Sequence, residues 1–476
     1  MTEFDFDVVV VGGGLAGLGC ANRCAELGLK VALLERGPEE RYHCNSRFSM
    51  GFVNCAFEYI LGDPADLRRA IDRHTRSFAV PELANAFAMN AGVAVRWLEK
   101  QGVRLIKGGW QGGQRVMLAP PVPNRMGLNW TGRGGDVMVF RLGARLVERG
   151  GTLMRGVAAR ELVVENRRCT GVIATRGGET VRVDARAVLL ADGGFQANLD
   201  LLRRFITPAP ERLLQRNAKT GRGDGLLMAE AVGAQLRGTD RFYGHVQSID
   251  AMNKPALWPY PVVDHPMCAG IAVTRAGKRF ANEGLGGVFM ANAIAAQEDP
   301  LGTIAVFDHR IWETAGKEGQ RPANSLLEKG GATIHCSDTL QGLARLCCLP
   351  AEALSATVKA YNFAVEAGNL ESLDPPRTDN PVNRAQAIMA PPFFAVPLCA
   401  GITYTMGGIA IDGQCRVEHI AGGVIEGLYA AGSTTGGHEG GPVAGYTGGL
   451  GKATTFGYHS GNCIGEALNR CTSRVA

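Results

Sequence analysis

Phe6-Asp7-Val8-Val9-Val10-Val11-Gly12-Gly13-Gly14-Leu15-Ala16-Gly17 is the stretch that decides the fold of this chain. Residues 6–11 are a short β-branched run, the composition of a strand buried on both faces of a parallel sheet. Gly12, Gly14 and Gly17 then satisfy G-x-G-x-x-G. In that pattern the first glycine makes the tight turn, the second lets a pyrophosphate approach the backbone, and the third lets the helix pack against the strand. The spacing predicts a helix to about Leu27, ended by Gly28, and a second strand from Lys30 to Leu34 that runs into Glu35. An acid about 20 residues after the glycines is placed to accept hydrogen bonds from ribose hydroxyls. The helix N-terminus offers N–H groups and a positive dipole end to phosphates. A lone glycine motif carries little weight, but strand, glycines, helix, strand and acid in this order specify a dinucleotide-binding β-α-β unit.

Outward from that unit, Leu162–Val164, Val172–Thr175 and Val181–Val183 read as a small antiparallel meander. Ala187-Val188-Leu189-Leu190-Ala191 reads as a further buried strand, ending in Asp192-Gly193-Gly194-Phe195. Thr220-Gly221-Arg222-Gly223-Asp224-Gly225 precedes an apolar helix expected from Leu226 to Ala231. That turn suits either an anion cradle or a plain N-cap by Asp224. Between about 240 and 395 the β-α-β rhythm is lost, as expected of an inserted cap. Gly427-Leu428-Tyr429-Ala430-Ala431-Gly432 is again a strand ending in glycine. A glycine-dense loop and a helix from about Lys452 follow it. The expected organisation is therefore a nucleotide domain in residues 1–240, a cap in 241–395 and a return to the first domain in 396–476. The fold class is α/β, a Rossmann-like domain of parallel sheet plus β-meander, with an inserted α+β cap domain that covers the substrate.

Composition narrows the function classes. Apolar residues make up 46% and charged residues 20%, which suits a large buried core. The formal charge of +5 comes without a Lys/Arg block, which argues against nucleic acid. The 13 cysteines contain no C-x-x-C, which argues against zinc, iron–sulfur and haem sites, so no metal is expected. Met1 to Asp7 is acidic, unlike a secretory leader. No apolar run reaches the ~20 residues needed to cross a bilayer. A cytoplasmic, reducing location is expected.

The sequence resembles the fumarate reductase/succinate dehydrogenase flavoprotein superfamily along nearly its whole length. The matching segments are Gly12–Gly17 with Glu35-Arg36, Asn45-Ser46, Ala191-Asp192-Gly193-Gly194-Phe195 and Gly223-Asp224-Gly225. Further on come Gly277-Lys278-Arg279-Phe280-Ala281-Asn282-Glu283, Thr405-Met406-Gly407-Gly408-Ile409 and Gly427–Gly432. The resemblance implies an extended FAD in the first domain and a substrate under the cap. The cofactor contacts it implies are Gly12, Gly14, Leu15, Ala16, Gly17, Glu35 and Arg36 in the first unit, then Asn45, Ser46 and Val157. Asp192, Gly193 and Asp224 follow, with Gly432, Ser433, Gly449 and Leu450 near the end. Asn45 stands where membrane succinate dehydrogenases carry a His bonded to the flavin, with His43 out of register, so FAD is expected to be non-covalent.

Where the family's fumarate reductases carry a proton-donating Arg, this chain reads Gly284-Leu285-Gly286-Gly287-Val288. Where their last loop carries a carboxylate-clamping Arg, it reads Gly441-Pro442-Val443-Ala444-Gly445-Tyr446-Thr447-Gly448-Gly449. Their substrate-binding His is replaced by Tyr404. With two arginine forks and a His gone, fumarate and succinate are poor substrate candidates. The last loop and Thr454-Thr455-Phe456-Gly457 are more similar to the tricarballylate dehydrogenase branch, and Thr455-Phe456-Gly457-Tyr458 also resembles the 3-ketosteroid dehydrogenases. Those branches imply removal of two hydrogens from adjacent carbons beside a carbonyl or carboxylate.

Such a reaction needs a hydride acceptor, a base and donors for an enolate-like oxygen. Tyr446, Tyr404, His438, Glu439 and His245 are the candidates for these tasks. His438-Glu439 lies between glycines, Tyr446 lies in the last loop, and His245 matches a family position at the pocket mouth. Glu283 is expected to anchor structure. The expected reading is an FAD-dependent dehydrogenase acting on a small organic molecule. Its alternatives are an ene-reductase, which runs the opposite reaction, and an oxygen-using oxidase or monooxygenase-like tailoring enzyme. The electron acceptor stays open between oxygen, a quinone and an electron-transfer protein.

Overall fold

The computed structural model describes residues 5–108, 115–319 and 321–472, so Met1 to Phe4 of the N-terminal reading lie outside the described residues. Strand β1 (Phe6–Val11), helix α1 (Leu15–Glu26) and strand β2 (Val31–Glu35) form the opening unit. β1 lies parallel to β2, with Val8 opposite Val31 and Val11 opposite Leu34. Valines 8 to 11 are buried, as a strand covered on both faces requires. Two of the three fingerprint glycines are forced by the chain's own packing. A Cβ on Gly12 would lie 2.6 Å from the Ala191 carbonyl oxygen, and one on Gly17 would lie 2.0 Å from that of Gly12.

Helix α2 (Pro81–Lys100) and strands β3 (Thr152–Arg155), β4 (Val157–Glu165), β5 (Arg168–Arg176) and β6 (Glu179–Leu190) follow. β4, β5 and β6 form the antiparallel meander. One correction to the sequence reading falls here. The runs at 181–183 and 187–191 are not separate strands but the two halves of β6. Its first half pairs antiparallel with β5, and its second half pairs parallel with β1, Ala187 opposite Val8. Asp184 and Arg186 separate the two apolar runs without breaking the strand, whose burial changes from alternating to continuous where the second face becomes covered.

Helix α3 (Asp224–Ala231) begins two residues before its expected start. Its N-cap is Gly223 at φ +72°, not Asp224, which is the first helical residue. The central region holds β7 (Phe242–Ser248), α4 (Asp264–Ala269), β8 (Ile271–Val273), α5 (Gly287–Ala295) and β9 (Ile304–Asp308), and leads to the long strand β10 (Phe393–Thr405). β10 is the hub of a six-stranded sheet and pairs antiparallel with β7 and β9. It runs straight through position 395, so one continuous strand spans the expected end of the cap.

The chain returns through β11 (Arg416–Glu418), β12 (Val424–Ala430) and α6 (Gly449–Thr472). The first sheet is eight-stranded, in the order β11-β12-β5-β6-β1-β2-β3, with β4 on β5. β12 lies parallel to β6, so the ends of β2, β1, β6 and β12 make one carboxyl edge. α6 begins three residues earlier than the glycine-dense sequence suggests. Its glycines serve close approach: a Cβ on Gly451 would lie 2.2 Å from the Asn54 carbonyl oxygen and one on Gly449 3.0 Å from the Tyr404 ring. No helix among the described residues is long and apolar enough to cross a membrane.

Candidate active site

Two adjoining cavities, of about 110 and 320 Å³, open along the carboxyl edge of the first sheet. Asn45, Ser46, Ser433 and Ala453 line both, so they form one continuous cleft.

The smaller cavity collects residues from the ends of four strands. Gly12, Gly14, Leu15 and Ala16 come from the first turn, and Glu35 and Arg36 from the end of β2. Val157, Asp192, Gly193, Asp224, Gly432 and Ser433 complete its wall. Gly17 is not in the wall; it serves the packing of α1. Glu35 accepts hydrogen bonds from the N–H groups of Gly13 (2.9 Å) and Gly37 (2.7 Å). Burial pushes its carboxyl up, and those two N–H groups offset part of the rise. Arg36 pairs with Asp224 at 3.0 Å, tying β2 to α3 across the cavity. Asp192 accepts from the Gly225 N–H at 2.8 Å, and burial pushes its carboxyl up to about 6. Ser46 accepts the N–H of Leu15 at 3.0 Å and so holds the first turn of α1. Asn45 donates to the Thr403 carbonyl (3.0 Å) and accepts from Ala218 (2.9 Å), bracing the junction of the cavities.

Gly14 tests whether a dinucleotide fits. A Cβ there would meet nothing nearer than the Ser46 Oγ at 3.6 Å. The chain's own atoms thus give no reason for a glycine at this position; the space is open to the cleft beside the positive end of α1, where a pyrophosphate fits.

The larger cavity is built on β7 and β10. Tyr243 and Tyr404 face each other across these strands, ring centroids 5.3 Å apart. Tyr446, from the last loop, stacks on Tyr243 at 4.2 Å and 21°. Gly449 donates its N–H to the Tyr446 hydroxyl at 3.2 Å. Gly449 and Leu450, at the start of α6, line this cavity and bring the positive end of a long helix to it. Behind Tyr243 stands His245, whose Nε2 lies 3.1 Å from the Tyr243 hydroxyl and whose Nδ1 lies 2.5 Å from Asp264 Oδ2. Asp264 also accepts the Val246 N–H at 2.7 Å. Burial alone would push the Asp264 carboxyl up, but the adjacent His245 outweighs it and the net direction is down. Burial pushes the Tyr243 and Tyr404 hydroxyls well above the usual phenol range.

Three of the five catalytic candidates, Tyr446, Tyr404 and His245, therefore meet in one wall. His438 and Glu439 are placed elsewhere. His438 is 2% exposed, stacked on Phe87 of α2 at 4.9 Å and edge-on to Phe456 at 5.3 Å, outside the lining of both cavities. Burial pushes its imidazole down to about 3, helped by the charges of Lys452 and Arg68. Glu439 is fully buried behind Tyr404, whose hydroxyl donates to it at 3.1 Å, and it pairs with the buried Lys452. Glu283 bonds to Arg279 Nε at 3.0 Å within the protein's interior. The sequence reading did not single out Tyr243 and Asp264. Tyr243 carried one signal, its i, i+2 spacing from His245 on a strand. Asp264 carried none.

A glycine-fingerprint cleft at the sheet edge, with Gly14 open to it, coincides with the match of residues 7–448 to the model of a family described as an FAD binding domain. The chain belongs to this family, that of the fumarate reductase/succinate dehydrogenase flavoproteins. The flavoprotein is 27% identical over 444 residues to the fumarate reductase (cytochrome) of Shewanella frigidimarina, covering 91% of this chain and 72% of the relative. It is 32% identical over 330 residues to the 4-oxocyclohexanecarboxylate 2-dehydrogenase of Sinomonas cyclohexanicum, covering 62% and 54%. Matches cover as little as 30% of a relative's length. In fold it is similar to the 3-ketosteroid Δ1-dehydrogenase of Sterolibacterium denitrificans, with TM-score 0.74 at 20% identity over 97% of this chain and 99% of that one. The flavoprotein family is one of FAD-dependent oxidoreductases acting on CH–CH bonds.

Proposed function

We propose that this flavoprotein is a dehydrogenase that desaturates a C–C bond beside a carbonyl of a small organic substrate, with FAD held non-covalently. The observation that carries the reading is the wall formed by Tyr446, Tyr404 and Tyr243, backed by the His245–Asp264 pair. FAD, when bound, supplies the two-electron acceptor for the hydride. Tyr446 is positioned by Gly449 to donate to the substrate oxygen, and the positive end of α6 favours negative charge developing there. Tyr243 takes the proton from the carbon beside the carbonyl and passes its own to His245. A phenol with so high a pKa does not ionise alone, so the imidazole must accept as the phenol gives. Asp264 fixes the tautomer and orientation of His245. Tyr404 closes the wall, held by Glu439.

The expected non-covalent attachment rests on Asn45, whose amide cannot bond to a flavin as the imidazole of the covalent relatives does. The 4-oxocyclohexanecarboxylate relative favours a cyclic ketone over fumarate, and so does the lack of an arginine at positions 284–288. A reducing, cytoplasmic location suits a chain in which every described cysteine is free. Anaerobic bleaching of the flavin by a panel of cyclic ketones, keto acids and polycarboxylates tests the reading. Bleaching by a saturated ketone, with recovery of its enone, is expected. Oxidation of an alcohol or amine in its place would sink the proposal, and rapid reoxidation by air would mark an oxygen-using enzyme.

A further inference from the structure

Two arginines that no motif marks stand in the wall of the larger cavity. Arg216 follows the short strand Leu214–Gln215 beside β10, and its N–H donates to the Ile402 carbonyl at 2.8 Å. Its stem lies across Gly401, where a Cβ would come within 2.3 Å of the arginine Cδ, so β10 keeps a glycine where this side chain passes. Its Nη1 donates to Thr403 Oγ1 at 2.9 Å, while its buried Nε has no partner. Arg321 is 4% exposed. Its guanidinium donates to the carbonyls of Arg125 (2.8 Å) and Pro123 (3.3 Å) and to the sulfur of Met50 (3.5 Å), and its Nε too is buried without a partner.

Every acceptor of these two guanidiniums is neutral. Among the described residues neither arginine forms an ion pair. The one acid in the wall, Asp264, gives its oxygens to His245 and Val246. The two charges feel each other: burial pushes Arg321 down to about 10, and the positive Arg216 adds to that shift. A guanidinium keeps its proton inside proteins, so both carry charge at neutral pH. Buried charges are ordinarily paired because lone ones are costly to hold, yet the buried Arg321 and the half-buried Arg216 have no direct ion pair, and the Asp264 carboxylate, already held by His245, offsets the Arg216 charge only through space. An anion arriving with the substrate removes that cost, and the planar guanidinium matches the two oxygens of a carboxylate.

The geometry points to a carboxylate-bearing substrate whose anionic group is held by Arg216 and Arg321 while its carbonyl lies at the tyrosine wall. The inference rests on the reading of this cavity as the substrate site. It draws the anion's partners from residues 216 and 321 and not from the last loop, which carries Val443 where the resemblance puts a carboxylate clamp.

Titration of the FAD-loaded protein with benzoate and with methyl benzoate, followed by the flavin absorption spectrum, tests the anion site without any turnover. Benzoate is expected to bind at least about tenfold more tightly than its ester. Arg216→Met and Arg321→Met are each expected to weaken benzoate by about 10- to 100-fold and to leave the ester unchanged. Equal binding of benzoate and its ester to the unaltered protein would overturn the inference, whatever the variants do. If an Arg→Met variant fails to load FAD, Arg216→Lys and Arg321→Gln serve in its place. Bleaching by 4-oxocyclohexanecarboxylate and by its methyl ester is measured in parallel. Charge discrimination by benzoate without bleaching by either ketone would support the anion site and sink the desaturation reading. Bleaching by both ketones at equal concentrations, without discrimination, would do the reverse.

Discussion

The carboxyl group of Asp264 occupies the space that a side chain at position 287 would need: a Cβ on Gly287 would lie 2.0 Å from the Asp264 Cγ. The glycine therefore keeps Asp264 within reach of His245. Gly287→Ala is expected to displace the carboxylate, and Asp264→Asn to remove its charge. Each should lower the rate of flavin reduction by about tenfold or more, less than the roughly 10²–10⁴ that a positioned proton acceptor contributes, because the imidazole itself remains. FAD content should persist in both. Rapid-mixing absorbance decides the matter, and an unchanged rate in both variants would remove His245 from the proposed proton path.

Tyr446→Phe keeps the ring that stacks on Tyr243 and removes one hydroxyl. If that hydroxyl donates to the substrate oxygen, flavin reduction should slow by roughly 10²–10³, as for other oxyanion donors. Measured FAD content and thermal stability should stay near those of the parent. A rate within a few-fold would reassign the donor to Tyr404 or to the N–H groups at the start of α6.

Gly14 and Gly17 should fail in different ways. Gly14→Val fills space that the chain leaves open, so the protein should fold and lose FAD, read as colourless soluble protein with native circular dichroism. Gly17→Val would collide with the Gly12 carbonyl and should yield little folded protein. In the parent, FAD released by acid precipitation should stay in the supernatant; flavin retained on the pellet would contradict non-covalent attachment.

His438 sets an acid limit on stability. Its folded-state pKa lies near 3 against an ordinary 6.5, so the unfolded chain takes up a proton that the folded one refuses. Stability is present in full above 6.5 and is lost as pH falls toward 3. The loss amounts to about 2 kcal/mol at pH 5 from this group alone. His438→Phe, which suits a site between Phe87 and Phe456, should flatten that slope and leave flavin reduction unchanged. Denaturant unfolding at pH 5 and pH 8 provides the comparison. A hundredfold loss of flavin reduction would return His438 to the chemistry.

The sequence was most legible where structure is local. Gly12, Gly14, Gly17 and Glu35 belong to one short β-α-β unit, and their spacing carries their roles. Strand β6 reads as two runs because Asp184 and Arg186 interrupt its apolar residues, although the strand itself is continuous. The site was legible in part. Tyr404 and Tyr446 stood out by position, but Tyr243, Asp264, Arg216 and Arg321 are brought together by the pairing of β7 with β10 and by helices packed behind them. No spacing along the chain encodes those meetings. His438 misleads for a related reason: glycines on both sides of the pair mark a tight loop but not which way its side chains turn, and here the imidazole turns toward α2.

The cleft is assembled from turns that leave the ribosome at very different times. Of the four, Gly12 is made first, Asp192 well afterwards, and Gly432 and Ser433 about 240 residues later still, although all line the same small cavity. Strand β12 is inserted beside β6, so the nascent chain must hold that part of the sheet edge exposed until residues 424–430 are synthesised. Cofactor capture is consequently a late event in the life of each molecule, and a chain halted before Val424 has a fingerprint but no completed cradle in which to use it.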